Sequence, residues 1–153
     1  MEGAAALSRL LVARVGEEWP PPLFDADALE WALDQVRIDP RFEEWGMRYM
    51  VLRDSDAGGP EAVGVAGYKG PPDTENEVEI GYSVLPSYQR RGLASEAVAA
   101  LMAHAFDLHG VARIVAHTLR HLDPSIGVLR KNGFTLEAEL DDEGLVRFAR
   151  EAW

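Results

Sequence analysis

Residues 77–106 read EVEIGYSVLPSYQRRGLASEAVAALMAHAF. The apolar run from Val78 to Val84 has the composition of a buried strand, closed by the turn signal Leu85-Pro86-Ser87. A helical pattern starts near Gly92 and runs to about Leu108. Gln89-Arg90-Arg91-Gly92-Leu93-Ala94 joins the two.

This junction suits an anion. The first turn of a helix carries unpaired backbone N–H groups and the positive end of the helix dipole. A phosphate placed there is held by several N–H groups at once. Gly92 has no side chain, and Ala94 and Ser95 are small, so close approach stays open. Arg90 and Arg91 add positive charge beside it. The surface fits a pyrophosphate. It is neither a Walker A loop, since no G-K-[ST] follows, nor a dinucleotide fingerprint, since G-x-G-x-x-G is absent. The bland reading of the same residues is an ordinary strand-to-helix connection with a surface Arg pair.

The whole chain fits one domain, residues 1–153, and its 47% hydrophobic content supplies a sizeable core. With no cysteine, a disulfide framework and a thiolate zinc site are both excluded. No apolar run reaches membrane-spanning length, so no membrane partner is expected. MEGAAALSRLLVARV lacks the charged start and long apolar stretch of a secretory signal, which makes the cytoplasm the default compartment. A net charge of −11 argues against nucleic acid as a partner and is compatible with cationic or amine-bearing substrates.

Around the central stretch the elements follow in order. Leu7 to Val15 reads as a first strand. Gly16 to Pro22, with Trp19-Pro20-Pro21-Pro22, is a stiff extended loop; a ligand for a proline-binding module is the other reading. Asp25 caps a helix to about Ile38 whose Leu29, Ala32, Leu33 and Val36 share a face, and Asp39-Pro40 ends it. Trp31 and Trp45 either overhang a substrate or pack on the edge of the core. Met47 to Arg53 and Ala62 to Tyr68 are strands joined by Asp54 to Pro60, and two glycines in the second signal a bulge or close backbone approach. Arg113 to Leu119 is a strand. Asp123-Pro124 is expected to cap and open a short helix, Ser125 to Asn132, which Gly133 ends. Phe134 to Leu140 and Leu145 to Arg150 form a last hairpin. Strands and helices interleaved in this way exclude a simple doubly wound fold.

The order Q-x-x-G-x-A after a strand, Gln89 to Ala94, resembles the acyl-coenzyme A loop of the GCN5-related N-acetyltransferases (GNATs). Thr118 to Phe134, TLRHLDPSIGVLRKNGF, is similar to a second signature in the RimJ/RimL-like branch, with Ser125, Val128, Leu129, Lys131, Gly133 and Phe134 matching. E-I-G-Y at Glu79 to Tyr82 is typical of the same branch. The resemblance covers nearly the whole chain. It implies an α/β, mixed α+β fold: a mixed, mainly antiparallel sheet whose middle strands splay apart, flanked by helices. Two residues depart from it. Leu122 stands where relatives usually carry Asn, and Leu129 where many branches carry a Tyr acting as general acid.

The resemblance implies transfer of an acetyl group from acetyl-CoA, the acyl-donor cosubstrate, to a primary amine, a peptide N-terminus or a small-molecule amine. The amine attacks directly in a ternary complex. No enzyme nucleophile and no metal is needed. Ser83, Val84, Gln89, Arg90, Arg91, Gly92, Leu93, Ala94, Ser95 and Ser125 are the implied coenzyme contacts. The pantetheine arm would pair with Tyr82 to Val84 as an added strand, and an N–H near Val84 would face the thioester oxygen. Glu79, in a mostly apolar run that would raise its pKa, is the candidate base, or else a solvated strand carboxylate. Ser125 contacts coenzyme or helps the thiolate leave, or merely caps a helix; Tyr82 and Tyr88 are proton donors or packed rings. All four histidines, His104, His109, His117 and His121, read as structural or surface residues. A non-catalytic acyl-CoA sensor and a longer-chain or hydroxyl-directed acyltransferase are the competing functions. Oligomeric state is not legible, and a homodimer is compatible with the sequence.

Overall fold

The computed structural model describes residues 2–152. Two helices come first, α1 (Glu2–Leu11) and α2 (Ala26–Ile38), followed by a 3₁₀ turn at Pro40–Glu43. Strands β1 (Met47–Leu52), β2 (Glu61–Tyr68) and β3 (Glu77–Val84) form a meander. Helix α3 (Leu93–Met102) runs on as a π-helix over Ala103–Leu108 and returns the chain to β4 (Arg113–Leu119). Helix α4 (Asp123–Lys131) and the hairpin β5 (Thr135–Glu139) and β6 (Leu145–Glu151) complete the chain. The sheet order is β1-β2-β3-β4-β6-β5, and every neighbouring pair is antiparallel except β3–β4. This is the expected mixed, mainly antiparallel sheet.

Side chains alternate between faces along a strand. Val78 and Ile80 of β3, Ala66 and Tyr68 of β2, and Ile114 and Ala116 of β4 meet Val98, Leu101 and Phe106 of the long helix and Leu129 of α4. Each large side chain buried there stabilises the fold by about 1.5–3 kcal/mol relative to exposure. Glu77, Glu79, Gly81 and Ser83 occupy the other face, beside buried Val65 and Val115. The two glycines of β2 behave as expected. The β1–β2 register slips between Met50 and Val51, opposite Ala62 and Gly64, and a Cβ on Gly67 would collide with the Gly46 carbonyl.

Two expectations fail, one near the chain start and one at α4. Leu7 to Val15 is not a strand. The run EGAAALSRLL is helical, as its Ala and Leu content favours, and Val12, at φ 51°, ends it. Arg14 reaches the sheet by an isolated bridge to Glu61. Helix α2 begins on its Asp25 cap as expected, with Asp25 accepting from Ala28 N–H at 3.0 Å. On its apolar face Leu29 and Leu33 are 40% and 48% exposed, and the helix packs on the 3₁₀ turn. Trp31 meets Phe42 edge-on, whereas Trp45 is buried in the core. Finally, Leu122 takes the cap position of α4 and Asp123 falls in its first turn.

Candidate functional site

The parallel β3–β4 ladder ends early. Pairing runs from Glu77–Arg113 to Ile80–Ala116 and stops, although β3 continues to Val84 and β4 to Leu119. The expected splay is therefore present. Backbone direction along it follows from two bonds. Lys69 N–H donates to Glu79 C=O and Leu85 N–H to Val63 C=O, both at 2.8 Å. In an antiparallel ladder bonded pairs alternate. Odd-numbered residues of β3 therefore face β2, and the N–H groups of Tyr82 and Val84 face the gap that β4 leaves. Ser83 is turned away: its backbone pairs with β2, and its hydroxyl donates to Pro22 C=O at 2.5 Å.

The loop beyond β3 ends at α3. Gly92 caps α3 in the left-handed region at φ 79°, with no side-chain cap, and a Cβ added there would meet nothing within 4 Å. Glu96 N–H makes the first intrahelical bond, to Gly92 C=O at 3.0 Å, so the N–H groups of Leu93, Ala94 and Ser95 point out of the helix end. The cradle anticipated for an anion is thus open. Gln89 stiffens the loop by donating from Nε2 to Val84 C=O at 3.0 Å. Leu93 and Ala94 pack on Val63, Val84, Leu85 and Tyr88. Asn132, the C-cap of α4, donates to Ser95 Oγ at 3.1 Å.

The two arginines part company. Arg90, at φ 64°, is exposed and has no ion-pair partner among the described residues. Arg91 is captured. Its guanidinium bonds both Asp56 oxygens, at 2.9 and 2.7 Å, and lies over the Tyr88 ring. That bond holds the Asp56 carboxyl below its usual range. Arg91 thereby ties the loop to the β1–β2 connection.

Beside the gap, Tyr82 OH donates to Ser125 C=O at 2.9 Å and lies 3.2 Å from Ser125 Oγ, which accepts from Thr118 Oγ1 at 3.0 Å. Ser125 does not cap α4; it joins β3, β4 and α4 into one hydroxyl cluster. Burial pushes the Tyr82 phenol up, against the Ser125 bond, which lowers it. Tyr88 is the packed ring of the two readings, 5% exposed, its hydroxyl donating to buried Glu61 at 2.7 Å.

Glu79 lies on the opposite face from Tyr82. Its carboxylate is ion-paired: Lys69 Nζ stands 2.6 Å and His117 Nδ1 3.2 Å from Oε2. Lys69, Asp73, Glu77, Glu79, His117 and Arg147 line a cavity of about 330 Å³ there. Sequence reading missed Asp56, Lys69, Thr118, His117 and Asn132 as neighbours of the site. Lys69 was findable, since it stands across the β2–β3 hairpin from Glu79; Asp56 carried no signal. Away from the site, His104 and His109 come together beside Glu44.

Comparison with known proteins agrees with this geometry. A family model described as an acetyltransferase (GNAT) domain matches residues 4–135. YoaA, an uncharacterised N-acetyltransferase of Bacillus subtilis, is 30% identical over 120 residues, 77% of this chain and 66% of its own length. A solved GNAT-family acetyltransferase from Bacillus anthracis is 26% identical with a TM-score of 0.54, covering 60% of each chain. RimL, the ribosomal L7/L12 α-N-protein acetyltransferase solved with coenzyme A, is also 26% identical at TM-score 0.54, over 60% of this chain and 56% of its own. The ribosomal-protein-S5-alanine acetyltransferase of Vibrio fischeri shares the fold, with 20% identity, a TM-score of 0.66, and 98% and 85% of the two chains covered. The matched part spans less than two thirds of the length of the first three relatives. With its splayed strands, open helix end and matching family model, the chain belongs to the GNAT acetyltransferase family.

Proposed function

We propose that the protein is an N-acetyltransferase that moves the acetyl group of acetyl-CoA to a primary amine by direct attack in a ternary complex. The observation that carries this reading is the early end of the β3–β4 ladder, with the N–H groups of Tyr82 and Val84 facing the gap. The residues present fit the carrier. N–H groups of Leu93, Ala94 and Ser95, with Arg90 beside them, would hold a diphosphate, and Gly92 leaves it room. Tyr82 and Val84 would hold a pantetheine arm by β-augmentation. When bound, acetyl-CoA supplies an activated thioester carbonyl.

The chain's own groups then divide the proton work by face. Glu79, on the face opposite Tyr82, takes the proton that an ammonium must lose before nitrogen can attack. The Val84 N–H stabilises negative charge building on a carbonyl oxygen. Tyr82, kept protonated by burial and oriented by Ser125 and Thr118, gives a proton to the departing thiolate. Base and acid lie on opposite faces of one strand, so neither intercepts the other's proton. Relatives named for ribosomal-protein or spermidine acetylation support a peptide N-terminus or a small amine as the acceptor class. The protein works in the cytoplasm, as a monomer or homodimer.

One observation favours a second reading, an acyl-CoA sensor without turnover: Lys69 already occupies the Glu79 carboxylate. An amine panel separates the two, with free thiol release from acetyl-CoA as the signal. Tight binding of acetyl-CoA with no thiol released on any peptide, polyamine or small amine would reject the enzyme in favour of the sensor.

A further inference from the structure

At the end of the long helix remote from the open cradle, three side chains converge from two segments. Glu44 follows the 3₁₀ turn and precedes β1; His104 lies in the π-helix Ala103–Leu108 and His109 caps it. On an α-helix, residues five apart diverge by about 140° around the axis. A π-turn closes i to i+5 and stacks them. The two imidazole rings accordingly stand 4.6 Å apart, and each meets buried Trp45 edge-to-face, at 5.4 and 5.0 Å.

Glu44 Oε1 lies 2.7 Å from His109 Nε2 and 3.5 Å from His104 Nε2, and one ligand atom from each residue falls within 4.8 Å of the others. His104 Nε2 is shut from solvent and makes no hydrogen bond among the described residues. A polar nitrogen buried in this way calls for a partner. Its lone pair and the Glu44 carboxylate are both electron donors, and a cation between them satisfies both. Arg48, whose guanidinium bonds Glu44 C=O at 2.8 Å, is the opposing charge nearby.

We propose that Glu44, His104 and His109 bind one divalent transition-metal ion, with zinc as the best fit. Two imidazole nitrogens and a carboxylate oxygen are a zinc donor set, with water completing the tetrahedron. Magnesium and calcium prefer all-oxygen sites. Trp45, 6% exposed, is a fixed wall that sets both rings. The ion would tie the segment entering β1 to the end of the long helix. Its effect therefore falls on stability, not on chemistry at the far end of the helix.

The test titrates metal-free full-length protein with zinc chloride by calorimetry, and with cobalt(II) chloride by visible absorption. One zinc per chain, four-coordinate cobalt bands and a zinc-dependent rise in Tm are expected. His104→Gln and His109→Gln should each weaken zinc by about tenfold or more. His121→Gln, on the loop after β4, should leave it unchanged. If a histidine variant does not fold, Glu44→Gln, at a partly exposed carboxylate, takes its place with the same expected loss. No binding, or equal binding by wild type and the site variants, would overturn the proposal, as would an equal loss in His121→Gln.

Discussion

Gly92 allows the anion cradle to be tested apart from the chemistry. The residue sits at φ 79°, and an added Cβ would meet no atom within 4 Å. Gly92→Ala therefore brings no clash and only the left-handed backbone penalty, about 1–2 kcal/mol. For a domain of this size each kcal/mol lowers Tm by about 2–4 °C. Gly92→Glu carries the same penalty, offset by about 0.3–1 kcal/mol because its carboxylate meets the positive end of the α3 dipole. The two variants should thus melt within a few degrees of each other. Binding should separate them. A carboxylate about 4 Å from a phosphate charge repels it by about 4 kcal/mol at an effective dielectric near 20, and salt reduces this. Gly92→Glu should lose about 100-fold or more in acetyl-CoA affinity, roughly 2.7 kcal/mol, while Gly92→Ala keeps most of it. Calorimetric titration with acetyl-CoA, beside thermal melts, reads both quantities. A folded Gly92→Glu variant that binds within about threefold of wild type would refute the assignment of this helix end to the diphosphate.

Glu79→Gln should lower kcat by about a hundredfold; unchanged turnover would remove Glu79 as the base. Asp56→Asn releases Arg91 toward the cradle, so acetyl-CoA affinity should rise a few-fold and become steeper in salt. Weaker binding would mean instead that the Asp56–Arg91 pair shapes the loop. The buried phenols set an alkaline limit. Tyr68 and Tyr82 both sit above the ordinary value of 10.0, chiefly because of burial. Above that pH the unfolded chain releases protons that the folded chain retains, so stability falls as pH rises. Tyr82→Phe should blunt the decline in a chemical-denaturation series from pH 9 to 11, since one of these titrations is gone; an equally steep decline would place the titration elsewhere.

From Met47 onward the elements were legible because period and punctuation agree. Strands rich in Val, Ile and Tyr are cut by DSDAGGP, KGPPDTEN and the Leu85-Pro86 turn, and the ladder follows. The first fifteen residues carry no such agreement. LSRLLVARV fits a strand by its apolar run, but the alanines before it extend a helix through Leu11. In α2 the pattern gave the right element and left its burial open, since spacing marks an apolar face without naming what covers it. The site divides in the same way. Gly92, Ala94 and the even residues of β3 are backbone features, and a short local stretch encodes them. Side-chain partners come from far along the chain: Asp56 takes Arg91 from 35 residues away, and Ser125 meets Tyr82 across 43. The π-turn that brings His104 to His109 uses residues equally at home in an α-helix, so nothing in their identity announces it.

The parted strands leave a seam of unsatisfied amides in the interior of a sheet. At an outer margin, lysines, prolines or bulges keep stray chains from docking. Here β2 lies on one side and the β4–β6 pair on the other, so a second polypeptide with side chains on both faces has no way in. On the function proposed above, a slender, unbranched thread with its own amide groups would lie along Tyr82 and Val84. The fold would then screen its guests by girth before any charged residue is consulted.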